Sequence, residues 1–345
     1  MKKKSGSPTG LKVLCTLLGI VLVVMVAGTV YASYLMGLMN RVQIGSEVAM
    51  SQEEIDRLMA EETLAPDETQ APVMDENEID WGQEEGKILE TDDEIVNIML
   101  IGQDARDPGV RARSDSMILV TFNTQKKTIT LTSFLRDLYV KIPGYSDNKM
   151  NAAYPMGGME LLSQTLEANF GVKVDGFVEV NFARFAEVID LLGGVDMELR
   201  EDEAAFINFG TGRYLLGKGM QHLDGEQALF YSRIRHLDND ADFSRTGRQR
   251  KVINALIEKF RNTKLTTLLG LMDDLLPMIT TDMTNAEIIG YATELFPMLA
   301  DCTIVSQRVP GDGAYSMATI KGMSCVVADM DAARKLLEKT FQTGE

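Results

Sequence analysis

Histidine is nearly absent: His222 and His236 are the two in 345 residues, and neither has a partner nearby in sequence. No Ser–His–Asp or Cys–His arrangement is spelled out, and both read as structural or solvent-exposed. The three cysteines show no zinc-ligand spacing. Cys15 lies in an apolar run. Cys302 and Cys325 each have strand-like flanks, so they are expected as either one disulfide or two buried thiols. No internal repeat is present. A basic surplus is also lacking, since 34 Lys and Arg face 51 Asp and Glu for a net charge of −17. That balance excludes general nucleic-acid binding, which wants a large basic patch.

The acidity is local. Residues 45–94 hold eighteen Asp and Glu against Arg57 and Lys87, which leaves the remainder of the chain near −1. A nearly neutral globular part can hold a basic site. The order along the chain follows. Residues 1–12 carry Lys2, Lys3 and Lys4, ahead of an uncharged apolar run over 13–39. The run exceeds the ~20 residues that span a bilayer, and the leading lysines predict the N-terminus inside. A cleaved signal peptide is the competing reading, but its apolar core is typically only ~7–15 residues. Residues 40–94 read as an acidic, partly disordered stalk. Residues 95–345 form the folded part.

Within it, EIVNIMLIG, SMILVTFN, TITLTSF, LYVKIP, DGFVEVN and VDMELR read as strands, with TQKK as a hairpin turn. GGMELLSQTLEANFG, FARFAEVIDLLGG and GEQALFYS read as helices. Further helices are expected near 264–276, 285–299 and from Asp329, with strands near 303–309 and 323–328. The expected class is α/β, a central mixed β-sheet covered by helices on both faces (an α-β-α sandwich), preceded by one N-terminal transmembrane helix.

The chemistry gathers around Phe230–Arg250, FYSRIRHLDNDADFSRTGRQR, with Arg233, Arg235, Arg245, Arg248 and Arg250. After Asp242 the sequence turns helical, with Asp242 or Ser244 as the expected cap. Val252, Ile253, Leu256, Ile257 and Phe260 mark its apolar stripe, and projecting that stripe backwards puts Arg245 and Gln249 on the inward face. An arginine facing inwards on a first helical turn needs an anion, either a phosphate group or a structural carboxylate. Two other stretches bring charge to strand ends, and a third brings it to a helix start. GQDARDPGVRARSDS carries Asp104, Arg106, Arg111, Arg113 and Asp115, and SFLRD carries Arg136 and Asp137; NKMNAAYPMGG puts Lys149 and Asn151 at the helix start. Arginine forks suit phosphate oxygens, and two aspartates suit a hard divalent ion.

The ordered motifs GxDxR, RSDS, SxxRD with VxIP, KxNxAYxxGG, LxGGV, LxGxQxLDGEQALxYSRxR and DFxRxxRQR resemble the LytR–CpsA–Psr family from about Ile95 to Phe260. The resemblance implies a membrane-anchored phosphotransferase of Gram-positive-type bacteria. It would move a teichoic-acid or capsule-type glycopolymer from an undecaprenyl-pyrophosphate carrier to peptidoglycan. Asp104 and Asp115 match the Mg²⁺-binding aspartates. Arg113, Arg136, Arg233, Arg235, Arg245 and Gln249 match the pyrophosphate-binding set, and Asp104, Asp115 and Arg136 become the catalytic candidates. The lipid tail is expected in an apolar pocket within the domain. The alternatives are a polyprenyl-pyrophosphate hydrolase and a non-catalytic envelope regulator. One departure stands out: Leu135 precedes the arginine of the RD motif where the family usually has proline, which predicts a looser turn at Arg136.

Overall fold

The computed structural model describes residues 31–43, 50–51, 53–55, 71–83, 86–103, 111–235, 237–238 and 241–342. Its strands are β1 (Asn40–Arg41), β2 (Ile95–Gln103), β3 (Ser114–Asn123), β4 (Thr128–Phe134), β5 (Tyr139–Val140), β6 (Asn148–Lys149), β7 (Gly176–Asn181), β8 (Val195–Leu199), β9 (Gly219–Leu223), β10 (Thr280–Thr281), β11 (Thr303–Val309), β12 (Tyr315–Ile320) and β13 (Met323–Ala328). The helices that pack on them are α1 (Ala153–Phe170), α2 (Phe182–Leu191), α3 (Glu201–Thr211), α4 (Gly225–Ser232), α5 (Ala241–Asn262), α6 (Leu265–Leu275), α7 (Asn285–Leu299) and α8 (Met330–Phe341).

The main sheet runs β1-β10-β7-β2-β3-β4-β11. β2, β3 and β4 form an antiparallel meander, whereas β7 joins β2 and β11 joins β4 in parallel. The sheet is therefore mixed, as expected. Alternation along the strands sends side chains to two cores. Met99, Ile101, Met117, Leu119 and Phe134 pack with α1 and α8 on one face. Ile118, Val120, Ile129 and Leu131 meet Ile253 and Ile257 of α5 and Met298 of α7 on the other. A third cluster closes the antiparallel β8–β9 pair with α2, α3, α4 and the Val252–Leu256 stripe of α5. Each large apolar side chain buried this way contributes on the order of 1.5–3 kcal/mol.

Several elements differ from expectation. LYVKIP yields only the two-residue β5. The helix expected from Gly157 begins at Ala153 and breaks at Gly157–Gly158, where Gly158 takes φ 65°. α5 begins at Ala241, so Asp242 and Ser244 lie within its first turn rather than ahead of it. α3, β9 and β12 occupy stretches that carry no expected element. The described portions of 40–94 also pack on the domain instead of standing clear as a stalk. β1 extends the sheet edge, Ile79 and Trp81 join a cluster with Tyr139, and Leu89 is buried in the main core. Sparse apolar anchors among the carboxylates hold that segment down. Cys302 and Cys325 are free buried thiols in different clusters, not a disulfide. Most of the expected 13–39 span lies outside the described residues. Among those described, no helix is long and apolar enough to cross a membrane.

Leu135 replaces the looseness expected of it with two anchors. Its side chain is fully buried in the main core, and its N–H donates to Val309 O at 3.2 Å, a bond proline cannot make. Leu135→Ala is expected to lose about 2–5 kcal/mol of stability, read by chemical denaturation.

Candidate functional site

The charged residues meet where β2 and β4 end, β3 begins, and the first turns of α5 arrive overhead. Asp115, the second residue of β3, is the hub. Arg136 Nη1 donates to Asp115 Oδ1 at 2.9 Å, and Arg245 Nη1 stands 4.0 Å from the same oxygen. Gln249 Nε2 donates to Asp115 O at 3.4 Å. Arg245 is almost wholly buried, at 2% exposure, while a quarter of the Asp115 side chain reaches solvent. The turn after β4 adds a second carboxylate. Asp137 Oδ2 accepts from Arg136 Nε at 3.3 Å, and Oδ1 pairs with Lys149 Nζ at 2.9 Å. Burial alone would raise the Asp137 carboxyl; Arg136 and Lys149, with Arg245 behind them, hold it below the usual carboxylate range.

The turn that carries Arg136 is fixed by backbone. Val326 N–H donates to Asp137 O at 2.8 Å, and Asn151 N–H to Arg136 O at 3.1 Å. Lys149 lies in β6 opposite Tyr139, so the strand pairing places its amine beside Asp137. Sequence reasoning placed Lys149 at a helix start; it lies in a short strand just ahead of a 3₁₀ turn.

An apolar cavity of about 90 Å³, partly open to solvent, lies between the sheet and helices α2, α4 and α5. Leu100, Ile118, Val178, Val180, Phe182, Phe185, Val252 and Ile253 line it, and Gln249 forms part of its wall. Gly102 lines it too: a Cβ there would stand 3.0 Å from the Phe182 ring, so glycine lets strand and helix approach. The Arg233 guanidinium lies 5.2 Å from the Phe182 ring centroid, at the cavity rim. Charge cluster and cavity thus share a wall.

Other expected residues fall around this hub. Arg113 is half-buried two residues before Asp115, and Arg235 is half-buried in the segment after α4. Arg248 behaves differently from its neighbours. It is 3% exposed, and its Nε donates to Glu203 at 3.0 Å, Nη2 to Asp238 and Nη1 to Ile234 O at 3.3 Å. Arg248 is a brace that ties the Arg233–Arg235 segment to α3. His222 is exposed and pairs with Asp196 at 2.7 Å; His236 lies outside the described residues. Asp104 and Arg106 also lie outside them. The end of that loop is pinned by Gln103, whose Oε1 accepts from Ala112 N–H at 2.9 Å. Gln103 Nε2 and Tyr154 OH both donate to Glu179 of β7, a contact set the sequence reading missed. A glutamate alternating within an otherwise apolar strand was its one visible signal.

Among the described residues no three Asp, Glu, His or Cys side chains gather as a metal cage. Mg²⁺ asks less than that, binding through one or two carboxylates plus phosphate oxygens, and Asp115 offers one beside arginines suited to phosphate.

A mixed α/β sheet with clustered arginines at its strand ends and an apolar chamber behind them has the two surfaces that an amphiphilic oxyanion requires. The family is equally plain: the LytR_cpsA_psr family model matches residues 58–342, and the chain belongs to that family. Among curated relatives, a polyisoprenyl-teichoic acid–peptidoglycan teichoic acid transferase TagU of Bacillus cereus is 32% identical over 238 residues, 67% of this chain and 73% of the relative. A transferase of the same description, TagT of Bacillus subtilis, is 35% identical over 209 residues, which span 59% of this chain and 63% of the relative. The solved structure of TagT with bound octaprenyl pyrophosphate lipid matches with a TM-score of 0.57 and 28% identity, over 76% of this chain and 98% of that one.

Proposed function

We propose that this protein is a phosphotransferase that moves an anionic, teichoic-acid or capsule-type glycopolymer from a polyprenyl-pyrophosphate carrier to peptidoglycan. The observation that carries the reading is the shared wall: Gln249 lines the apolar cavity and also donates to Asp115 in the arginine cluster. A ligand with an isoprenoid tail and a diphosphate head needs both surfaces in contact. The transferase names of the relatives, and the lipid held by the structural neighbour, agree with it.

The chemistry then follows from charge. Arg136 and Arg245, with Arg113, Arg233 and Arg235 around them, hold the diphosphate and favour the charge that develops on the leaving lipid phosphate. An acceptor hydroxyl, the C6 hydroxyl of N-acetylmuramic acid in this reading, attacks the sugar-proximal phosphorus in line and forms the phosphodiester. Asp115, together with Asp104 by the family resemblance, would hold Mg²⁺, which would supply further neutralisation of the diphosphate oxygens. Either carboxylate is the candidate to take the hydroxyl proton. In the same proposal the 13–39 span anchors the chain, N-terminus inside, so that the domain meets carrier and acceptor on the outer face.

Val180→Trp tests the cavity. It is expected to weaken octaprenyl-diphosphate binding at least ~10-fold by filling the chamber, while inorganic diphosphate still binds. Equal loss of both ligands, or of neither, would remove the cavity from the account. Release of lipid phosphate that requires added glycan acceptor separates transfer from simple hydrolysis.

A further inference from the structure

Helix α5 carries two inward stripes. Arg245, Gln249, Val252 and Leu256 face the site and cavity described above. Phe243, Arg250 and Ile257 face β4 and β11 instead, and among the described residues this second stripe meets β11 in an arginine pair with no carboxylate between its members. Arg250 is 9% exposed, and among the described residues neither its Nε nor its Nη1 meets an acceptor. Burial, together with the charge of Arg308, pulls its pKa down to about 10. Arg308, on β11, lies 4.7 Å over the Phe243 ring, which itself stacks on Tyr315 at 4.6 Å. Its Nη2 donates to the exposed Asp312, and its Nε meets no acceptor. Ser133, the register partner of Arg308 on β4, is buried with its hydroxyl unpartnered.

Two further contrasts separate this cluster from ordinary structural arginines. Arg248, two residues from Arg250 on the same helix, is just as buried and closes on two carboxylates. Gly247 lies between Phe243 and Arg250 on α5, and a Cβ there would meet nothing nearer than Arg250 Nη2 at 3.9 Å. A glycine inside a helix is unfavourable unless the space is wanted. Like charges drawn together, with buried donors unsatisfied, are a destabilising arrangement that an oxyanion would reverse.

We propose that Arg250 and Arg308, with Ser133, form a second oxyanion site, distinct from the Arg136–Arg245 cluster, for a phosphate or carboxylate group of the glycan substrates. Binding of the oxyanion stands on this geometry; its assignment to a glycan rests on the function proposed above. Arg308 lies in register three residues before Arg136, and on the β4–β11 side of α5, away from the apolar cavity. A carrier whose tail fills the cavity and whose diphosphate meets Arg136 points its saccharide towards this side. The oxyanion is then either a phosphodiester of the polymer or a carboxylate of the peptidoglycan acceptor.

The test compares melting of the full chain in inorganic phosphate and in chloride at matched ionic strength, for wild type, Arg250→Gln, Arg308→Gln, Gly247→Ala and Arg136→Ala. Phosphate is expected to raise the melting temperature of wild type and, in part, of Arg136→Ala. In Arg250→Gln, Arg308→Gln and Gly247→Ala the rise should fall by at least half. In chloride the two glutamine variants should melt no lower than wild type, because they relieve repulsion. An unchanged phosphate response in Arg250→Gln, or a response abolished by Arg136→Ala alone, overturns the site. In the transfer assay, Arg250→Gln should raise KM about tenfold for one partner. The increase disappears with a pyrophosphate-linked donor whose saccharide carries no phosphodiester if the polymer supplies the oxyanion, or with an acceptor whose carboxylates are amidated if peptidoglycan does. No change in either KM overturns the glycan assignment. Failure of wild type to transfer at all would sink the proposed function and leave the phosphate result standing.

Discussion

Replacing Arg136 with alanine is expected to lower polymer transfer by roughly 10²–10³-fold, the usual consequence of removing one preorganised donor to developing charge. The fold should survive. The turn around Arg136 is held by backbone bonds from Leu135, Asn151 and Val326, none of which uses the guanidinium. Arg136 is also the group that joins the two carboxylates, at 2.9 Å from Asp115 and 3.3 Å from Asp137. Arg136→Lys should recover little, because an ammonium cannot reproduce the planar fork that spans two oxyanions. Steady-state kinetics beside circular dichroism check this: activity falls and the helical signal stays. Near-wild-type turnover in Arg136→Ala would show that the diphosphate lies elsewhere.

The second large effect is on stability. Arg248→Ala is expected to cost about 3–5 kcal/mol, because it strips the nearer of two arginine partners from a buried carboxylate, leaving the half-exposed Arg200 at 3.8 Å. Glu203 is 2% exposed, receives Arg248 Nε at 3.0 Å, and also accepts the Arg200 N–H at the start of α3. Arg200 and Asp238 extend the network, with Arg200 Nη1 donating to Asp238 at 2.7 Å. Losing Arg248 thus loosens the segment that carries Arg233 and Arg235. Urea unfolding measures the effect, and Arg248→Ala combined with Glu203→Gln should recover part of it, since a neutral amide is cheaper to bury than a lone carboxylate. A loss below ~1 kcal/mol would mean that Arg248 is an ordinary surface-type pair.

Much of this was legible in the chain because the relevant signals are local. The apolar stripe of α5 extrapolates correctly to Arg245 and Gln249, and the TQKK turn between two alternating runs delivers the β3–β4 hairpin. α3 is hard to see in the sequence because its helical stripe is weak, although its acidic first turn and Gly212 stop mark its ends. What could not be read was long-range pairing. The parallel match of β11 to β4 sets Arg308 against Ser133 across 175 residues of chain, and nothing near either residue announces it. The same holds for Arg248 and Glu203: five arginines in one stretch look alike until their partners are known. Charge density misled in the opposite direction, since eighteen carboxylates over 45–94 conceal Ile79, Trp81 and Leu89, which fasten the described part of that segment to the domain.

The most direct test of the central claim gives the full chain, with Mg²⁺, a polyprenyl-pyrophosphate-linked saccharide and peptidoglycan oligomers. The product sought is saccharide joined through phosphate to the glycan, identified by mass and by phosphodiester-specific cleavage. This product is expected to form with wild type and to disappear in Arg136→Ala and Asp115→Ala. Lipid phosphate released at the same rate with or without acceptor, and no glycan-linked saccharide, would contradict it.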